Sequence, residues 1–251
     1  TQSRSSAASD VYKRQVMMNL DKEVMDKYAD CKEYSLADKW ILSRMNTLVK
    51  EVTENMEKYE LGIALQKVYD FMWTEFCDWY IELVKGVLYG DDEKQKGIVY
   101  NVLNDVLKTG LKLLHPVMPF ITEEIYTTLT DGDSIVVSNW PEYNESLTDE
   151  KAEKDMDFII EAIKGLRNVR AEMNVPPSRK AKVISYTTTE AKDAFISGVH
   201  YIEKLASASE VSFIDDKAMV PENAVSLVVK GGELFLSLIH ISEPTRRRGI
   251  S

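Results

Sequence analysis

A chain of 251 residues that is 44% hydrophobic and 29% charged has the length and composition for one or two domains with a buried core. No apolar run reaches the roughly eighteen residues of a membrane-spanning helix, and two cysteines far apart in sequence, Cys31 and Cys77, exclude a disulfide framework and fit a reducing, cytoplasmic setting. A formal net charge of −10 excludes generic attraction to DNA or RNA, so any RNA contact has to come from a local patch of Lys and Arg.

The elements predicted in chain order begin with Ser35-Leu36-Ala37-Asp38, a capping box that opens a helix with Ile41, Met45, Leu48, Val52 and Met56 as its apolar stripe. Tyr59-Glu60 ends it, and a second helix runs from Leu61 to about Lys85, with Leu61, Leu65, Val68, Met72, Phe76, Trp79 and Leu83 as its main stripe. Phe71, Trp73 and Tyr80 widen that stripe nearly all round, so the aromatic set Phe71, Trp73, Phe76, Trp79 and Tyr80 is expected in the core. Gly90-Asp91-Asp92 turns the chain into a third helix, Glu93 to Leu114, which His115-Pro116 ends because a residue before proline is driven out of the α region. Pro119 fits the first turn of a fourth helix ending near Leu129, and an extended loop follows to Trp140-Pro141.

Thr148 is the expected cap of a fifth helix, Asp149 to Met173, which Val175-Pro176-Pro177 stops. The texture then changes. Lys182–Tyr186, Val211–Phe213 and Ala224–Val229 have strand character, Glu190–Ala206 has helical character, and Gly231-Gly232 makes a turn. The fold class is therefore mainly α, a helical bundle over 16–174 followed by a small α+β unit over 175–235.

Both ends stand apart from this pattern. The stretches Ser5 to Gln15 and Leu236 to Arg246 resemble translated sequencing-library adapters, and neither has a cap, a sustained period or an amphipathic face. Residues 1–15 and 236–251 are expected to be adapter-derived or disordered tails. The alternative is a mobile N-terminal tail and a basic C-terminal tail carrying Arg246, Arg247 and Arg248.

Catalytic signatures are missing from the pattern. There is no glycine-rich phosphate loop and no nucleophile motif. His115 and His200 have no ligand partner at helical spacing, and His115 is expected to fix a helix end. Glu123-Glu124 reads as an early-helix acidic pair favoured by the dipole, not as a catalytic dyad.

Four blocks occur in order: Leu36 to Arg44 (LADKWILSR), Tyr69 to Tyr80 (YDFMWTEFCDWY), Leu114 to Glu124 (LHPVMPFITEE) and Leu166 to Pro177 (LRNVRAEMNVPP). Together they resemble the valyl-tRNA synthetase family, over nearly all of 16–235. Relatives charging isoleucine, leucine or methionine share the bundle, and the stretch Phe76-Cys77-Asp78-Trp79-Tyr80 is what makes the resemblance valyl-like.

The resemblance implies a class I synthetase anticodon-binding bundle, taken from a ligase that joins valine to its tRNA with ATP and Mg2+. It implies that a catalytic domain with His-Ile-Gly-His and Lys-Met-Ser-Lys-Ser signatures, and an editing domain, would precede Val16, and that a coiled-coil arm would follow Phe235. On that basis the chain alone is expected to need no cofactor and to charge no tRNA, with its partners a tRNA bearing a valine anticodon and the catalytic domain of the same chain. Neither membrane nor DNA is implied as a partner. A helical interaction module without an RNA role is the alternative.

Unpaired bases are read by stacking on aromatic or Arg planes and by hydrogen bonds to their edges. Trp40 and Arg44, four apart on one helix, would share a face with Lys39 one step round, which makes Lys39, Trp40 and Arg44 the candidate anticodon cradle. The competing reading places Trp40 in the core with both cations solvated. Arg167 and Arg170 are candidates for interdomain or phosphate contact, against a structural role at a helix C-terminus. Arg179 and Lys180, with Lys182, form a weaker phosphate-contact candidate.

Overall fold

The computed structural model describes residues 21–176, 178–187, 189–216, 219–221 and 224–237. The tail over 1–15, the start of the bundle at 16–20, Pro177 and the tail from 238 onward lie outside the described residues. The chain divides into two compact units between Glu153 and Lys154.

The first unit is helical. α1 (Lys22–Lys27) is a short helix that the periodicity did not announce, capped by Asp21. It lies along α5 (Glu93–Leu114), where the Asn101 side-chain amide donates to the Met25 carbonyl at 3.0 Å. α2 (Leu36–Glu57) starts at the predicted capping box and buries Ala37, Trp40, Ile41, Met45, Leu48, Val49 and Val52 on one broad face.

The expected second helix is three segments in one: α3 (Leu61–Asp70), a π-helix (Phe71–Tyr80) and α4 (Ile81–Leu88). The Ile81 amide donates to the Phe76 carbonyl, five residues back, so the turn is wider there and the helical phase drifts. That phase change has a consequence for the aromatic set. Phe71, Phe76, Trp79 and Tyr80 are buried as expected, but Trp73 is 53% exposed.

α5 is opened by Asp92, whose carboxylate accepts from the Gln95 amide at 3.1 Å. His115 closes it and holds Thr122 of α6 (Pro119–Leu129) at 2.8 Å through Nδ1. Glu123 lies past the first turn of α6, where it accepts from the Ile135 amide and holds the following loop.

α7 (Glu150–Glu172) begins in the first unit and continues into the second. Its cap is Asp149 and not Thr148: the Asp149 carboxylate accepts from the Ala152 amide at 2.9 Å, while the Thr148 hydroxyl accepts from Asn46. It ends where Asn174 turns left-handed (φ 53°) and the Val175 amide returns to the Arg170 carbonyl at 2.8 Å.

The second unit packs α7 and α8 (Thr189–Leu205) with a four-stranded sheet of order β2-β1-β4-β3. β1 (Ala181–Thr187) runs parallel to β2 (Ala208–Phe213), the two joined by α8 as a βαβ crossover. β3 (Ala224–Val229) and β4 (Gly232–Ser237) form a hairpin through Gly231 at φ 81°, and β4 pairs antiparallel with β1. Leu236 and Ser237 therefore belong to the sheet and not to a tail: Leu236 pairs with both Val183 and Val225 and is 2% exposed. Two glycines permit the close packing. A Cβ on Gly165 would meet Leu227 of β3 at 2.6 Å, and one on Gly198 would meet Ile159 of α7 at 2.3 Å.

Candidate nucleic-acid interface

α2 carries the polar residues that organise the helical unit. Ser35 Oγ accepts from the Asp38 amide, and the Asp38 carboxylate accepts from the Ser35 amide at 2.9 Å. The same carboxylate, fully buried, accepts the Tyr80 hydroxyl at 2.7 Å, which ties the helix start to the π-helix. Further along α2, Ser43 Oγ accepts from the Asp149 amide at 2.9 Å and donates to Glu153. Asn46 exchanges two backbone hydrogen bonds with Asn144, each 2.9 Å, and so pins the loop that precedes α7. Apart from the Ser35–Asp38 capping box, none of these partners is visible to a periodicity argument, because each lies roughly forty or more residues away in sequence.

Arg44 sits on the neighbouring strip. Its Nε and Nη2 donate to the two carboxylate oxygens of Glu75 at 2.8 and 2.7 Å, a bidentate fork, and Nη1 lies 3.7 Å from Glu153. Lys67 pairs with Glu51 at 2.8 Å. Arg44, Glu51, Lys67 and Glu75 line a cleft of about 310 Å³ between α2 and the α3–π-helix segment, with Leu48 and Phe71 as its apolar wall. Its carboxylates (Glu51, Asp70, Glu75) outnumber its cations (Arg44, Lys67), so the cleft is not a phosphate trap.

The structure does not bring Lys39, Trp40 and Arg44 together as one surface. Lys39 is exposed, Trp40 is 3% exposed, and Arg44 is turned into carboxylates. Trp40 is a core residue, the alternative that the spacing left open. The reason is the breadth of the buried face of α2: positions four apart share a face, but the pattern alone does not tell which edge of that face is wet.

The C-terminal candidates separate as well. Arg167 Nε donates to the Leu205 carbonyl at 2.8 Å. Arg170 is 5% exposed and donates to the carbonyls of Pro176 (3.0 Å), Ser207 (3.4 Å) and Arg179. Burial pushes its guanidinium below the ordinary value. Both arginines thus bind backbone within the second unit. Arg179 and Lys180 are exposed in the loop before β1, and Lys182 pairs with Glu210 at 2.7 Å.

Sequence reasoning missed a row of exposed side chains on α3 and the first turn of the π-helix. Tyr69 and Trp73 are 58% and 53% exposed, with parallel rings (1° between planes) whose centroids lie 6.3 Å apart. Gln66 donates to Asp70 at 2.8 Å beside them. The spacing Gln66, Asp70, Thr74 was a legible solvent stripe and could have flagged Trp73 as its neighbour. A separate apolar face surrounds the start of α6, where Phe120 is 90% exposed and Val117, Met118, Ile121, Val136 and Val137 are also exposed.

The family model described as the anticodon-binding domain of tRNA ligase matches residues 38–185, from the α2 capping box into β1. The chain belongs to this family. The domain is 73% identical over 229 residues to valine–tRNA ligase of Clostridium perfringens, which covers 91% of this chain and 26% of that protein. It is 65% identical over 234 residues to valine–tRNA ligase of Clostridium acetobutylicum (93% and 27%), and 41% identical over 239 residues to that of Bacillus anthracis (93% and 27%). The domain thus spans about a quarter of the length of the curated relatives it matches. Among the described residues, no helix is long and apolar enough to cross a membrane, and no group of three or more His, Cys, Asp or Glu side chains could hold a metal ion.

Proposed function

We propose that this chain is the anticodon-binding module of a valine–tRNA ligase and binds the tRNA that carries a valine anticodon. The observation that carries the reading is the 73% identity to a valine–tRNA ligase, confined to about a quarter of that protein and overlapping the anticodon-binding match. The module contributes RNA recognition in the cytoplasm. Joining valine to tRNA with ATP and Mg2+ belongs to the catalytic part of such a ligase, so the chain by itself takes no cofactor and charges no tRNA.

The test is binding of this chain to valine tRNA, and to the same tRNA with one anticodon base changed, across a salt series. A preference for the native anticodon that persists at moderate salt is the expected result, because base reading does not depend on counterion release whereas phosphate contact does. Equal affinity for both tRNAs would overturn the reading. A preference for an isoleucine or leucine anticodon would reassign the amino acid and keep the module.

The exposed apolar face around Phe120 favours one further contact, with protein rather than RNA. In a complete ligase the fitting partner for that face is the catalytic part of the same chain. As a stand-alone scaffold, the domain would bind protein there and show no tRNA preference in the same salt series.

A further inference from the structure

We infer that the π segment Phe71–Tyr80 is a movable one-residue register, and that the Arg44–Glu75 ion pair is the latch that holds it. The inference stands whatever the chain binds. Burial along the helix counts the excess residue. Ala64, Val68 and Phe71 recur at steps of four and three, but the next buried residue, Phe76, lies five further on. Trp79 or Tyr80 and then Leu83 or Val84 resume steps of three and four. A five-residue step is one more than an α-turn takes. It falls inside the π segment, and the helix is α on both sides. Such an excess can pass from turn to turn, because each move trades a hydrogen bond to the fifth residue back for one to the fourth and loses none.

Polar contacts to α2 fix where the excess sits. The Tyr80 hydroxyl donates to the fully buried Asp38 at 2.7 Å. Glu75 accepts both arms of the partly exposed Arg44 at 2.8 and 2.7 Å, and one step along the ladder Lys67 meets Glu51 at 2.8 Å. Arg44 and Glu51 are seven apart, within about 20° of one line on an α-helix, whereas Lys67 and Glu75 are eight apart, about 80° out of line. The wider turns after Phe71 bring Lys67 and Glu75 closer to one line, so the π register lets both pairs close. Met72 lies over Gly110 of α5, where a Cβ would come within 2.6 Å of its sulfur; an unbranched thioether on a bare backbone fits either register. The two contacts that hold the segment differ in kind. Tyr80–Asp38 is a buried hydrogen bond, whereas Arg44–Glu75 borders the cleft and weakens with salt or with a charged group that enters there. With Tyr80 held, release of Glu75 lets the excess pass toward α3 while α4 stays seated.

The test is native-state hydrogen exchange of the full chain, read on the amides of 71–80 against those of α5. Glu75→Gln should speed exchange over 71–80 by about three- to fivefold and leave α5 within about twofold. High salt should move the same amides of the parent chain in the same direction. Deletion of Thr74, an exposed residue inside the five-residue step, should give a folded chain with a plain α-turn, in which Glu75→Gln adds less than about twofold. Exchange over 71–80 that ignores Glu75→Gln overturns the latch, since packing alone then fixes the register. Equal acceleration in α5 also overturns it, because the pair then props the whole unit. An equal response to Glu75→Gln with and without Thr74 overturns the movable excess, as does a Thr74 deletion that fails to fold.

Discussion

Arg44 and Arg170 are both helix-borne arginines, and the two units use them in opposite ways. Arg44, half-exposed, holds a carboxylate in a bidentate fork with a second carboxylate nearby. Arg170, buried, holds backbone carbonyls from three separate residues that converge on the C-terminal end of α7. The difference is one of exchangeability. A guanidinium facing carboxylates near water can trade one anion for another at small cost. A guanidinium sunk among carbonyls closes a loop, and if it leaves, Pro176 and Ser207 keep only the backbone amides of Arg179 and Ala181 as donors.

The comparison is sharpest at Arg170. Arg170→Met should cost about 2–4 kcal/mol, measured by urea unfolding, because three carbonyls that converge on a buried guanidinium lose a charged donor together. A loss under about 1 kcal/mol would mean that water replaces the guanidinium and that the two arginines are equivalent. Tyr80→Phe comes next, at about 1–3 kcal/mol, since it removes the hydroxyl that satisfies the fully buried Asp38. A neutral thermal melt for this variant would show that Asp38 is held by the capping box alone.

Arg44→Ala should change stability by less than about 1 kcal/mol, as expected for a partly exposed pair. A loss as large as that of Arg170 would erase the distinction. The smallest effect belongs to Lys39, which is exposed. Lys39→Ala should leave stability within about 0.5 kcal/mol. Under the proposed function it should lower the slope of log affinity against log salt by about 1, as for one lost phosphate contact, and an unchanged slope would remove Lys39 from the RNA surface.

Local punctuation was legible wherever one residue decides the outcome within a turn. Ser35 and Asp38 announce the start of α2, and α5 does end before His115-Pro116, although His115 keeps α-region dihedrals (φ −54°, ψ −41°), so the restriction before proline is not what stops it. The strands over 181–187, 208–213 and 224–229 were anticipated, with bounds shifted by up to three residues. What failed was assignment of faces and partners. Trp73 looked like its neighbours because an apolar count does not register the wider π turn. Thr148 and Asp149 are both good caps, and Asn46 decides between them by occupying Thr148. The stripe on α7 was visible, but it does not name what it meets. Gly165 against Leu227 and Gly198 against Ile159 show part of it facing β3 and α8.

The amino-acid sequence by itself determined the order of elements, most of their ends and the family, because caps, breakers and periods act within a few residues and motif blocks survive as strings. Only the tertiary structure decided which arginine is exchangeable, which aromatic pair stands in solvent and which polar side chains pin the loop before α7. Those outcomes depend on groups as far as about a hundred residues apart in the chain, where burial and hydrogen-bond partners are set by packing and leave no local signature.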